Sequence, residues 1–136
     1  MKHFLVVALI FLTVLLIFLF APRGAAAEDG AAAFRDHCAV CHGIAADGDG
    51  PMAPVLSVAP PDLTALAAAN GGAFPLGRVL RHVDGREEVI AHGGPMPIFG
   101  LLLDGPSAAI LAPDGSEIVT SEALAIIVAW LEERQR

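Results

Sequence analysis

The sequence is short of several residue types, and their scarcity narrows what the protein can be. Its 136 residues include no tyrosine, two cysteines and no run of basic residues. Residues 28–136 contain six basic and fifteen acidic side chains and carry a net charge of −9, so nucleic-acid binding is not expected. The same part holds only four aromatic residues, Phe34, Phe74, Phe99 and Trp130. A single small domain with so few rings predicts a core completed by a bound group.

Residues 1–27 are predicted to be either a signal peptide or an N-terminal membrane anchor. They begin with basic Lys2 and continue through residues 4–21, which are apolar apart from one threonine. Ala25-Ala26-Ala27 then offers a small-residue cleavage site. An apolar stretch of 18 residues suits both a signal and a tether. Both alternatives place residues 28–136 in the periplasm, soluble or membrane-anchored.

Both cysteines belong to one motif, Cys38-Ala39-Val40-Cys41-His42. Two thiols three positions apart can add to the two vinyl groups of a haem, while the adjoining imidazole binds the iron. A zinc finger would need a second pair of ligands, and a thioredoxin-type dithiol would need a surrounding βαβ pattern. The motif, which follows a predicted signal peptide or membrane anchor, therefore predicts one covalently attached haem c, bound by Cys38, Cys41 and His42.

Three segments together resemble a class I (monohaem) c-type cytochrome. They are residues 30–34, the motif extended to Gly43, and residues 94–100, which read Gly-Pro-Met-Pro-Ile-Phe-Gly. The resemblance covers essentially all of residues 28–136. It implies an all-α cytochrome c domain wrapped around one haem, in which the first and last helices cross near the haem edge and a loop methionine binds opposite the histidine.

Apolar spacing and capping signals predict the helices of this domain. They cover residues 29–42, 62–69, 75–83 and 120–134. The resemblance implies that Gly30 and Phe34, four positions apart on the first helix, pack against Trp130 of the last.

Residues 110–119 lengthen the connection to the last helix relative to compact members of the family. They consist of two apolar arms around Pro113-Asp114-Gly115. This pattern predicts a small hairpin or a long loop.

Met96 is the predicted second axial ligand. It lies 54 residues after His42, and its proline and glycine neighbours cannot continue a helix, so a constrained loop can project it inward. His92 is the alternative, and ligation by two histidines would lower the potential. Met52 follows His42 by only ten residues, too few to reach the opposite face easily, and is preferred as a loop or core methionine.

A proline carbonyl is expected to orient the histidine ligand. A ligating histidine generally donates its other ring N–H to such an acceptor. The resemblance implies a proline about a dozen residues on, which is Pro54, with Pro51 as the alternative.

Two classes of function follow from this site. An iron with both axial positions filled transfers single electrons and has no place for a substrate, which favours a carrier between respiratory or dehydrogenase partners over an enzyme. Its acidic surface predicts a basic docking face on a partner. The alternatives are a haem enzyme or a sensor of peroxide or gas with a labile ligand, and a cytochrome subunit of a membrane-bound oxidoreductase complex.

Overall fold

The computed structural model describes residues 6–7, 9–13, 25–85 and 96–136. Residues 9–13 are helical. From residue 25 onward the described helices are α1 (Ala25–His37), α2 (Ala39–His42), α3 (Leu76–Asp84) and α4 (Glu122–Glu132), and the strands are β1 (Ser107–Leu111) and β2 (Glu117–Ser121). Three single 3-10 turns cover Ala53–Val55, Leu63–Ala65 and Ala68–Asn70. The architecture is mainly helical, as predicted.

Most of the predicted signal or anchor lies outside the described residues. Residues 1–5, 8 and 14–24 belong to this part. Among the residues that are described, no helix has both the length and the apolar character needed to cross a membrane. The choice between a signal and an anchor therefore stays a prediction.

Helices α1 and α4 cross in close contact and form the centre of the core. Phe34 is completely buried and stacks on Trp130, with ring centroids 4.6 Å apart and planes inclined by 30°. At Gly30 a Cβ atom would lie 2.5 Å from the carbonyl oxygen of Ile126 and 2.8 Å from the Cβ of Trp130. The crossing therefore requires glycine at this position, and the predicted packing of Gly30 and Phe34 on Trp130 is confirmed.

Helix α4 begins where its sequence signals indicate. The Ser121 hydroxyl accepts a hydrogen bond from the Leu124 N–H at 3.2 Å, and Glu122 lies in the first turn, where a negative charge is favourable. The helix buries one apolar stripe, made of Leu124, Ile127, Val128 and Leu131. This stripe holds α4 against the rest of the core.

Residues 62–69 do not form the predicted helix but two successive 3-10 turns. In an α-helix the N–H of Ala67 would donate to the carbonyl of Leu63. Here the side-chain amide of Gln135 lies between these two groups: its Oε1 accepts from the Ala67 N–H at 2.8 Å, and its Nε2 donates to the Leu63 oxygen at 2.9 Å. A distant side chain therefore replaces the bond that would have continued a helix.

The connection before α4 is a hairpin, as one of the two predicted alternatives states. Strands β1 and β2 are antiparallel, with Ser107 opposite Ser121 and Leu111 opposite Glu117. The turn is closed by Asp114, whose carboxylate accepts from the Ser116 N–H at 2.9 Å and hydroxyl at 2.6 Å. The hairpin is longer than the apolar arms predict, because β1 begins three residues before Ile110 and β2 ends two residues after Val119.

Candidate functional site

Helix α2 carries Cys41 and His42 of the motif, and Cys38 lies directly before its first residue. It follows α1 after a turn at Cys38, whose N–H still donates to the Phe34 carbonyl at 2.8 Å, while the His42 N–H donates to the Cys38 carbonyl at 2.9 Å. Side chains three and four positions apart in such a turn lie on one face. The fold therefore places Cys38, Cys41 and His42 on one face of a turn that leads directly from the α1–α4 crossing.

The electrostatics of Cys38 disfavour a redox dithiol. Burial, and secondarily the charge of Cys41, raises the pKa of the Cys38 thiol to about 11. Reactive thiols in redox motifs have depressed pKa values, since the thiolate is the nucleophile. A thiol kept protonated at neutral pH is a poor nucleophile for disulfide exchange.

His42 is buried, with 7% of its surface exposed, and its Nδ1 lies 3.4 Å from the carbonyl oxygen of Pro61. With the proton on Nδ1, the ring donates to this carbonyl and leaves the lone pair of Nε2 for a metal. Burial lowers the pKa of His42, against a smaller opposite effect of the Pro61 carbonyl, so the neutral form that binds metals is favoured.

The carbonyl beside His42 belongs to Pro61, rather than to Pro54 or Pro51. Both of those prolines are exposed, and Pro54 lies within the 3-10 turn Ala53–Val55. The chain returns to the loop after His42 only at residue 60, which passes close to Gly48: a Cβ there would lie 2.5 Å from the Pro60 oxygen. The predicted kind of acceptor is present, but at 19 residues from the histidine and not at twelve.

Met96 lies half-buried on a segment attached to the end of α3. The Phe99 N–H donates to the Val83 carbonyl at 2.9 Å, which fixes this segment three residues after the methionine. His92 belongs to residues 86–95, outside the described part of the chain. The choice between Met96 and His92 as a ligand therefore stays a prediction.

Met52 lies beside α2, on an adjacent stretch of backbone. Its N–H donates to the Val40 carbonyl at 3.0 Å, and its side chain is exposed. The backbone of residue 52 is thus held to the helix that carries His42, as expected for a methionine that does not cross to the opposite face.

The residues present fit a large apolar group held through two thiols. The exposed large apolar side chains of the described chain include those in two stretches, one around α2 and the loop after it, the other after Met96: Val40, Ile44, Val55, Val58, Ile98, Leu101 and Leu102. Concentrations of exposed apolar surface mark ligand or partner contacts. Together with two thiols and a neutral imidazole on one helical turn, these surfaces suit a haem.

Three residues near this site, Pro61, Gln135 and Arg136, are not among those that the sequence predicts. Pro61 is followed by Asp62, whose carboxylate accepts from the Thr64 N–H at 2.9 Å, and the segment that begins there is bonded to Gln135 and Arg136. The Pro-Pro-Asp sequence of residues 60–62 was the available signal for a rigid turn. Nothing in the local sequence pointed to Gln135 or Arg136.

Comparison with protein families matches residues 27–134 to the family described as Cytochrome c. No curated protein and no solved structure matches the chain.

Proposed function

We propose a function from the premise that this chain belongs to the cytochrome c family, whose match spans residues 27–134. Members of this family bind covalently attached haem c, and the protein is a haem-binding electron-transfer cytochrome. The finer proposal is that it carries single electrons between partner proteins in the periplasm. The observation that carries it is the turn that joins Cys38, Cys41 and a neutral His42 oriented by the Pro61 carbonyl.

The proposed axial ligands are His42 and Met96. When bound, the haem supplies a one-electron couple, and a thioether ligand favours the reduced iron and raises the potential. On the His42 side, the chain favours the neutral imidazole and directs its Nδ1–H to the Pro61 carbonyl. On the other side, the bond between Phe99 and Val83 fixes the segment after Met96. With His42 and Met96 both holding the iron, no position would remain open for a substrate, and the bound group would serve in electron transfer.

Absorption spectra test this ligation and separate the carrier from a sensor or an enzyme. The ferric protein should show a weak absorption band near the red edge of the visible spectrum, which arises from sulfur ligation of the iron. The spectrum of the reduced protein should not change when carbon monoxide is added. Met96→Ala should lose the band, bind carbon monoxide and lower the potential, whereas the matched control Met52→Ala should change none of these.

Two outcomes would contradict the proposal. An unchanged spectrum in Met96→Ala would transfer the ligand role to His92 or Met52. Binding of carbon monoxide by the reduced wild-type protein would favour a sensor or an enzyme with a labile ligand.

The proposed working form is a cleaved, soluble periplasmic domain that begins at Glu28. The apolar residues 4–21 and the alanines at 25–27 support export and cleavage. Mass spectrometry of the haem protein from its native host should find Glu28 at the N-terminus. An intact residue 1–27 segment in the membrane fraction would contradict the soluble form and favour a tethered subunit of an oxidoreductase complex.

The proposed partner presents a basic face to this acidic domain. A net charge of −9 on residues 28–136 steers a freely diffusing protein towards such a face, so its reaction rate should fall steeply as salt is added. A tethered domain meets its partner at a high effective concentration, and its rate should depend far less on salt. Stopped-flow reduction rates at several salt concentrations distinguish the two.

A further inference from the structure

Gln135 and Arg136 hold the segment of chain that begins next to Pro61. The Gln135 side-chain amide accepts from the Ala67 N–H at 2.8 Å and donates to the Leu63 oxygen at 2.9 Å. The backbone N–H of Arg136 donates to the Thr64 oxygen at 2.9 Å. We call these two residues, with their bonds to residues 62–67, the clasp.

The side chain of Arg136 adds charged contacts to the clasp. Its Nε donates to the Thr64 hydroxyl at 2.8 Å, and its Nη2 donates to the Asp62 carboxylate at 3.0 Å. The Thr64 hydroxyl in turn donates to the other oxygen of that carboxylate at 2.6 Å. Thr64 is buried. Its hydroxyl both donates and accepts a hydrogen bond within this network, so neither role is left without a partner. Asp62, Thr64 and Arg136 therefore form one connected unit.

The clasp is covalently continuous with the carbonyl that faces His42. Asp62, the first of the residues that the clasp binds, is joined to Pro61 by a peptide bond. The same segment is tied to the loop after His42 by the Leu63 N–H, which donates to the Ala46 oxygen at 2.8 Å. The segment that directly follows the Pro61 carbonyl is therefore held both by the clasp and by the loop after His42.

The contact between Pro61 and His42 is sensitive to small movements. At 3.4 Å it is longer than the usual 2.7–3.2 Å range for N–H···O bonds, and hydrogen bonds weaken steeply as their geometry departs further from that range. The bond matters electronically because donation of the ring N–H makes an imidazole a more basic ligand, which favours ferric iron. A displacement of residues 61–62 would therefore weaken the bond and raise the potential.

We propose that Gln135 and Arg136 are positioning residues for the haem ligand His42. They hold the Pro61 carbonyl at the Nδ1–H of His42 and thereby set the reduction potential. The inference rests on the proposed function, since it takes His42 as the ligand of the haem iron.

Two variants and a matched control test the clasp in the full-length haem protein. Gln135→Ala removes the amide from between Ala67 and Leu63, and Arg136→Ala removes the side-chain bonds to Thr64 and Asp62. Arg134→Ala is the control, because it loses the same charge from the same end of the chain while its guanidinium lies 4.1 Å from the Trp130 ring centroid and not in the clasp.

The readouts are the reduction potential and the exchange rate of the His42 Nδ1–H, followed by NMR in the reduced protein. Both clasp variants should show a higher potential and a faster exchange than Arg134→Ala, and Arg136→Lys should restore part of the change. Should an alanine variant fold poorly, Thr64→Val keeps the shape of the side chain, removes the hydroxyl from the network and should give the same two shifts.

The results separate failure of the clasp from failure of the proposed function. The proposed role of the clasp would be refuted by three variants that behave like the control. In that case Gln135→Ala, Arg136→Ala and Thr64→Val would have the same reduction potential and the same exchange rate as Arg134→Ala. A wild-type protein without a reversible one-electron couple would overturn the proposed function, while the exchange rates would still decide the role of the clasp.

Discussion

The close approach of α1 and α4 at Gly30 leads to a quantitative prediction for Gly30→Ala. In a helix interior, alanine is favoured over glycine by about 1 kcal/mol. At this position, however, the added Cβ would lie 2.5 Å from the Ile126 oxygen and 2.8 Å from the Trp130 Cβ. Neither atom is the end of a flexible side chain, so α4 itself must move.

The magnitude follows from the balance of these two effects. Overpacking a tight core typically costs about 1–3 kcal/mol, and a backbone contact belongs in the upper half of that range. After subtraction of the gain in helix propensity, Gly30→Ala should lower the free energy of unfolding by about 1–2 kcal/mol. The matched control is Gly77→Ala in α3, where the nearest atom is Nη1 of the mobile Arg81 side chain at 3.2 Å. This control should leave stability unchanged or raise it by about 0.5 kcal/mol.

Urea unfolding of the haem protein, followed by the far-ultraviolet circular dichroism of its helices, measures both variants. The midpoint should move down for Gly30→Ala and stay or move up for Gly77→Ala, with equal slopes showing that the change is one of stability. Equal stability of the two variants would refute the close approach of α1 and α4.

Two further predictions concern the attachment of the haem and the stability in acid. The denatured wild-type protein should keep its haem in acidified organic solvent, and a Cys38→Ala, Cys41→Ala double variant should release any haem that it has bound; release from the wild-type would disprove the thioether bonds. The Thr64 hydroxyl, aided by the Thr64 N–H and Arg136, holds the pKa of Asp62 below its usual value, so the stability that this carboxylate adds is present above about pH 4 and is lost as the pH falls through the lowered pKa. The urea midpoint should therefore decrease less at acidic pH in Asp62→Asn than in the control Asp36→Asn. Identical pH profiles of the midpoint in the two variants would count against this role of Asp62.

Features set by neighbouring residues could be predicted from the sequence. The haem motif lies within five consecutive residues, and helix α4 is specified by a serine cap and an apolar stripe within about three turns. The hairpin is specified by Pro113-Asp114-Gly115, since the Asp114 carboxylate closes the turn on a residue two positions away. In each case the deciding interactions connect residues that are close in sequence.

Features set by distant residues could not be predicted. The alanine-rich segment 62–69 has the composition of a helix, yet Gln135 binds both partners of one of its helical hydrogen bonds, Ala67 and Leu63, from 68 and 72 residues away. The carbonyl beside His42 belongs to Pro61, seven residues after the predicted Pro54, because the close approach of residue 60 to Gly48 depends on how the whole loop folds. Such contacts depend on the assembled fold and leave no periodic pattern in the sequence.

A potentiometric titration of the purified haem protein tests the central claim most directly. An electron-transfer cytochrome with His42 and Met96 on the iron should give a single reversible one-electron transition, with the same potential in the oxidative and reductive directions and in the presence of carbon monoxide. A transition that is irreversible, or whose potential shifts when carbon monoxide is added, would contradict ligation of the iron by both residues. It would also contradict the proposed function as an electron carrier.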